Sequence, residues 1–188
     1  MVALVVLAIL HRQRELQLLG VICHGGGRGH PQRRARVVFK VLRLLGLHDE
    51  TFVGVGSDGA PDALEDQEHT LASVDAGRLP LFPSGPDLMR ELLTRAPNAS
   101  VCLLCTTCAT DLVATLSAHP ELVQAKARLI GITGGLEPGL PGESRNFLPF
   151  GAFAETATVA AAGAVYRFCF DRGVRLVAAT RQELHVHG

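Results

Sequence analysis

The chain has 188 residues, 47% hydrophobic and 19% charged, and its 18 basic and 18 acidic side chains cancel. That is the length of one domain with a sizeable core, and the charge balance gives no bulk attraction to nucleic acid or to a membrane surface. Five cysteines, mostly inside apolar runs, do not make a disulfide framework and favour a reducing, cytoplasmic compartment.

The first ten residues, MVALVVLAIL, have no basic segment ahead of them and no small-residue cleavage site behind, so they do not read as a signal peptide. Ten apolar residues are also too few to span a bilayer. They predict a buried helix running to Arg14 that opens without a capping residue, as though its beginning were cut away. Residues 16–23 predict a strand, followed by the loop HGGGRGHP. Residues 32–45 predict an amphipathic helix with Val37, Val38, Val41, Leu42 and Leu45 on its apolar face and Gly46 ending it. Residues 51–55 predict a short strand. Residues 57–84, rich in Asp, Glu, Gly and Pro, predict a long surface loop, and residues 87–95 a helix.

The organising stretch is 99–135. A strand-length apolar run at 101–104 leads into a Thr- and Cys-rich turn, and Thr110-Asp111 opens a helical pattern through Leu112, Val113 and Leu116. A second helical turn starts at Pro120, since proline is tolerated at the first helical position. A second apolar run, 129–132, ends on Gly134-Gly135. Strand, crossover helix and strand form the βαβ unit of a parallel sheet. Ligands of such sheets sit beyond the carboxyl ends of the strands, which brings residues 106–111 and 133–135 to one rim. Residues 136–151 predict a second irregular segment, 155–171 an alanine-rich helix and 174–179 a last strand. Without repeats or a domain boundary, the alternation predicts a single domain over residues 1–188: an open, mostly parallel α/β sheet with helices on both faces.

Candidate chemistry is sparse. Gly25-Gly26-Gly27-Arg28-Gly29 follows a strand and precedes a helix, where backbone N–H groups can cradle an anion. It is neither a Walker A loop nor a dinucleotide fingerprint, because no Gly-Lys-Ser/Thr follows and His30 stands where the last glycine belongs; a plain flexible βα turn is the favoured reading. Arg28, His30, Arg33, Arg34 and Arg36 gather positive charge there, against the helix macrodipole, although solvated arginines explain them too. Cys102, Cys105 and Cys108 are spaced C-x2-C-x2-C, with Cys23 on a neighbouring strand, a set that could hold zinc or a cluster. Strand alternation points Cys102 and Cys105 to opposite faces, which favours buried apolar thiols instead. His185 and His187 alternate near the end without a third ligand nearby. No G-x-S-x-G, H-E-x-x-H or Ser/His/Asp order stands out.

Several segments, in order, resemble the nucleoside hydrolase family of the inosine-uridine-preferring type. VALVVLAILHRQRELQLLGVICHGGG is similar to its first helix and second strand, and RARVVFKVLRLLG and ETFVGVG to the next helix and strand. TTCATDLVATLSAHPELVQAKARLIGITGG is similar to the family's GPLTNLA…PEL…GG pattern, and GAVYRFCFDRGVRLVAATRQ to a later helix and strand. The resemblance implies an open α/β fold that hydrolyses the N-glycosidic bond of ribonucleosides, with calcium held by an N-terminal D-x-D-x-x-x-D-D cluster. A hard cation on carboxylates lowers the pKa of water and positions it against a sugar with oxocarbenium character.

By the same resemblance, Thr110 gives a backbone carbonyl to the metal and Asp111 stands where the family has Asn or Asp. Gly26 and Gly27 lie in the family's glycine-asparagine loop, with Gly27 in place of the asparagine. Ala152-Phe153-Ala154 replaces a ribose-contacting Glu-Phe-Asn, with Asn146 as the residue that could substitute. The aspartate cluster belongs just before Val2 and a later metal-ligand aspartate beyond Gly188, so the resemblance implies a chain truncated at both ends, or a divergent relative. The expectation is a protein that binds calcium weakly and does not by itself hydrolyse nucleosides. The alternative is a non-catalytic nucleoside- or phosphate-binding or assembly module. The expected partner is a ribonucleoside or other ribose-containing small molecule, with no nucleic acid and no membrane, and a homo-oligomer is left open.

Overall fold

Apolar periodicity sets the elements. The computed structural model describes residues 2–24, 30–57, 79–134 and 157–180. They form α1 (Val2–Arg12), β1 (Gly20–Cys23), α2 (Pro31–Leu44), β2 (Phe52–Val55), α3 (Gly85–Arg95), β3 (Val101–Cys105), α4 (Thr110–Ala118), α5 (Pro120–Lys126), β4 (Ala127–Gly134), α6 (Ala157–Arg172) and β5 (Leu176–Thr180). Every ladder is parallel. β1 pairs with β2, and separately β3, β4 and β5 lie in that order. None of the helices among the described residues is long and apolar enough to cross a membrane. The chain divides into two compact units, Met1–Leu88 and Met89–Gly188.

In the first unit, α2 starts on Pro31, whose missing N–H costs nothing at that position, with His30 as an extended N-cap. It buries Pro31, Ala35, Val37, Phe39 and Leu42. Phe39 therefore joins the predicted face, while Val38, Val41 and Leu45 pack only partly against the core. Gly46 ends the helix at φ +69°, a conformation glycine adopts without steric cost. The Gly46 N–H donates to Arg43 O and the Leu47 N–H to Leu42 O at 2.8 Å, the two bonds of a Schellman cap.

Three expectations for this unit change. The helix α1 is half-buried rather than buried: Leu4 and Ala8 are inside while Val5, Val6 and Ile9 are exposed, because only one stripe of it meets a partner. β1 begins at Gly20 and not at residue 16, since residues before it are held by side chains instead of a ladder. The Leu18 N–H donates to His11 Nδ1 at 3.0 Å, and Thr51 Oγ1 donates to Leu18 O at 3.0 Å. Within the predicted long loop, Phe82 forms a parallel bridge to Gly54 through the Val55 N–H to Phe82 O and Phe82 N–H to Val53 O bonds, both 2.8 Å. The close approach is permitted by glycine. A Cβ on Gly54 would stand 2.8 Å from Leu88, and one on Gly85 2.5 Å from Ile22 and 3.1 Å from the Gly56 backbone.

In the second unit, β3 pairs Cys102, Leu103, Leu104 and Cys105 with Leu129, Ile130, Gly131 and Ile132 of β4, and β4 pairs Ile130 and Gly131 with Leu176 and Val177 of β5. Paired residues share a face, so the pleat sorts them. Ile130 and Ile132 are buried with Leu112, Leu116, Val123 and Val165. On the opposite face Leu104 is 54% and Val177 41% exposed, and Leu104 lies over Gly131, where a Cβ would meet it at 2.7 Å. Polar ties fix the helices at their ends. Lys126 Nζ donates to Ala96 O at 2.7 Å. Arg172, closing α6, donates to Glu121 and Gln124 of α5, and Gln124 Nε2 donates back to Arg172 O at 3.0 Å.

Candidate functional site

The carboxyl ends of β3 and β4 adjoin because Cys105 is paired with Ile132. Residues 106–111 and Thr133 thus stand at one rim, as the βαβ reading predicts; Gly135 lies outside the described residues. Thr106 and Thr107 are exposed, and Cys105 and Cys108 half-buried. Cys105 Sγ donates to Thr107 O at 3.2 Å across the turn. Burial pushes the Cys105 thiol up to about 11, the Thr107 hydrogen bond pulls it the other way, and Cys108 and Asp111 add to the rise.

Thr110 and Asp111 open α4 behind Ala109, which caps it without a side-chain hydrogen bond. The Asp111 side chain places negative charge in the first turn, where the helix dipole favours it. Asp111 is buried, and its carbonyl accepts from Thr115 Oγ1 at 3.1 Å. Among the described residues, the rim therefore presents hydroxyls, thiols and backbone groups, and its carboxylate, Asp111, is buried.

Gly26, Gly27 and the rest of the glycine loop, Asn146, the 152–154 segment and His185 with His187 lie outside the described residues. Of the basic group near the loop, Arg34 is engaged structurally: its Nη1 donates to His24 O at 2.8 Å. It also lies near Cys23, whose thiol burial raises to about 12, with Arg34 lowering it. No group of three or more His, Cys, Asp or Glu side chains among the described residues could hold a metal ion. Among the described residues, the donors at this rim do not fit the calcium implied by the family resemblance, since Thr110 would offer a carbonyl beside the carboxylate of Asp111 alone. The C-x2-C-x2-C set does not fit zinc either, since Cys102 lies on the opposite face of β3 from Cys105.

Sequence reasoning missed a cavity of about 360 Å³ lined by His11, Arg12, Arg14, Leu45, Gly46, Leu47 and Glu50. His11 Nε2 lies 3.1 Å from Glu50 Oε2, a contact between residues 39 apart that local pattern does not reveal. The segments lining it lead into the amino ends of β1 and β2, whereas parallel sheets bind ligands beyond the carboxyl ends of their strands. Its contacts tie the α1–β1 and α2–β2 connections together.

Two solved structures are similar to this fold. Type III effector protein XopQ complexed with adenosine diphosphate ribose gives a TM-score of 0.69 at 23% identity, covering 95% of this chain and 54% of that one. The effector protein XOO4466 gives 0.70 at 23% identity, covering 95% and 52%. The chain spans about half the length of each. Together with the parallel ladders, they show an α/β fold of parallel strands and helices that this chain shares with both proteins. No family model and no curated protein matches the chain.

The inosine-uridine-preferring assignment is therefore corrected: the two similar structures are those of a type III effector and an effector protein, no family model matches, and the resemblance extends to the fold alone. The physical reason lies in which residues carried it. The matching segments are the apolar spacing of strands and helices, which reports packing, whereas the chemical positions at Gly27, Ala152 and Ala154 depart from the family.

Proposed function

We propose that this chain is a binding module that holds a ribose-bearing small molecule of the ADP-ribose class at the β3–β4 rim without cleaving it. The observation that carries the reading is the parallel β3–β4 pair with residues 106–111 and Thr133 at its carboxyl end, where open α/β sheets receive ligands. A protein of similar fold, XopQ, was solved with adenosine diphosphate ribose. Exposed threonine hydroxyls and backbone groups suit sugar hydroxyls and phosphate oxygens. Cleavage needs a positioned water and a free base or metal, and the rim's carboxylate, Asp111, is buried. Calcium is not part of the proposal. A reducing, cytoplasmic setting is, on the ground that the five cysteines are free thiols.

The test is calorimetric titration of the full chain with ADP-ribose, inosine and inorganic phosphate, in calcium and in chelator. ADP-ribose binds equally in both, no ribose is released, and replacing Thr106 and Thr107 by valine weakens binding about tenfold, the worth of one or two hydrogen bonds. Absence of ADP-ribose binding, or release of free ribose from inosine, overturns the reading.

A further inference from the structure

β3 and the turn after it hold three cysteines within seven residues, a pattern that ligand binding does not use. Cys105 is the last residue of β3 and Cys108 lies two residues before α4. The Cys105 sulfur sits 3.2 Å from the carbonyl of Thr107, the residue joined directly to Cys108, and the two thiols are close enough to interact electrostatically. Both are half-buried, and the Thr106 and Thr107 between them are exposed, so a small reagent can reach the pair. Cys102, by contrast, shares the Leu104 face of β3, opposite Cys105. Disulfides need the two Cα atoms roughly 4.4–6.8 Å apart with their Cβ atoms converging, a spacing that a chain bending at Thr106 and Thr107 can reach and that opposite faces of a strand cannot.

We propose that Cys105 and Cys108 are a reversible redox pair, closed by exchange with a low-molecular-weight disulfide. One cysteine thiolate attacks a sulfur of that disulfide, forming a mixed disulfide and releasing the first small thiol. The other cysteine then attacks the protein-bound sulfur, forming the Cys105–Cys108 bond and releasing the second small thiol. The two cysteines are oxidised and the reagent reduced, and their two protons leave on the released thiols. Closure removes the Cys105 hydrogen bond to Thr107 and fixes the turn that begins α4. The inference does not depend on what the rim binds.

The experiment treats the folded full chain with glutathione disulfide, alkylates the remaining thiols and digests with trypsin. Residues 96–126 form one tryptic peptide carrying Cys102, Cys105 and Cys108. The expected product has lost two hydrogen masses and carries one alkyl group, which fragmentation places on Cys102, and added reduced glutathione restores three alkylated cysteines. Cys102→Ser, at an exposed position, keeps the loss, while Cys105→Ser and Cys108→Ser abolish it and carry a glutathione adduct. Three alkylated cysteines, adducts alone in the unsubstituted chain, or a bond mapped to Cys102 overturn the proposal. Because the unsubstituted and Cys102→Ser chains decide it by fragmentation, misfolding of the other two variants does not blunt the test.

Discussion

At the scale of single residues, burial determines what the thiols do. Desolvation raises Cys23 to about 12 and Cys105 and Cys169 to about 11, from an ordinary value near 9. The folded chain therefore holds these protons at pH values where the unfolded chain releases them. Their contribution to stability is complete below about pH 9 and lost as pH rises through 11 to 12. Denaturant midpoints measured from pH 8 upward stay level to about 9 and then fall, and Cys23→Ala flattens part of the fall. A midpoint that rises with alkali would contradict the burial. The burial was legible in the sequence, where the cysteines sit mostly in apolar runs; the approach of Arg34 to Cys23, eleven positions away, was not.

Element by element, the strands and helices were largely legible, because apolar spacing alone distinguishes 3.6-residue from two-residue periods. The order and most boundaries of α2, β2, β3, α4 and α5 follow the reading. What failed was contact at a distance. The start of β1 depends on His11 accepting from Leu18, and the Phe82 bridge depends on the Gly54 and Gly85 approach. That approach supplies a prediction. Gly85→Ala forces a methyl against Ile22 and the Gly56 backbone and costs about 1–3 kcal/mol by overpacking. Gly131→Ala crowds the exposed Leu104, which can swing away, and its Cβ lies at an ordinary 3.9 Å from Leu103 O and Leu129, so the cost stays within about 0.5 kcal/mol. Equilibrium unfolding of the two variants side by side measures the difference.

For the molecule as a whole, the fold was more legible than the site. Parallel α/β architecture follows from alternation, and the rim at residues 106–111 follows from topology without any knowledge of chemistry. The chemistry itself hinged on groups that sequence hides: the role assigned to Thr110 belongs to its backbone carbonyl, which every residue type possesses. The segments read as resembling a hydrolase family did so through apolar spacing, which carries architecture and leaves both family and activity unspecified. The exposed row of Val5, Val6 and Ile9 on α1 likewise gives apolar area without naming what it meets.

The three-stranded ladder has one further consequence. Among the described residues β4 is bonded along both flanks, whereas β3 and β5 are each bonded along one. Amides shielded on two sides surrender their protons last. In deuterium oxide, the interior amides of β4 outlast the slowest of β3 and β5, and equal exchange across the three would show that the ladder opens as one piece. On that expectation the unit opens from its margins inward, and the strand ending at Thr133 and Gly134 is the last part of the ladder to let go.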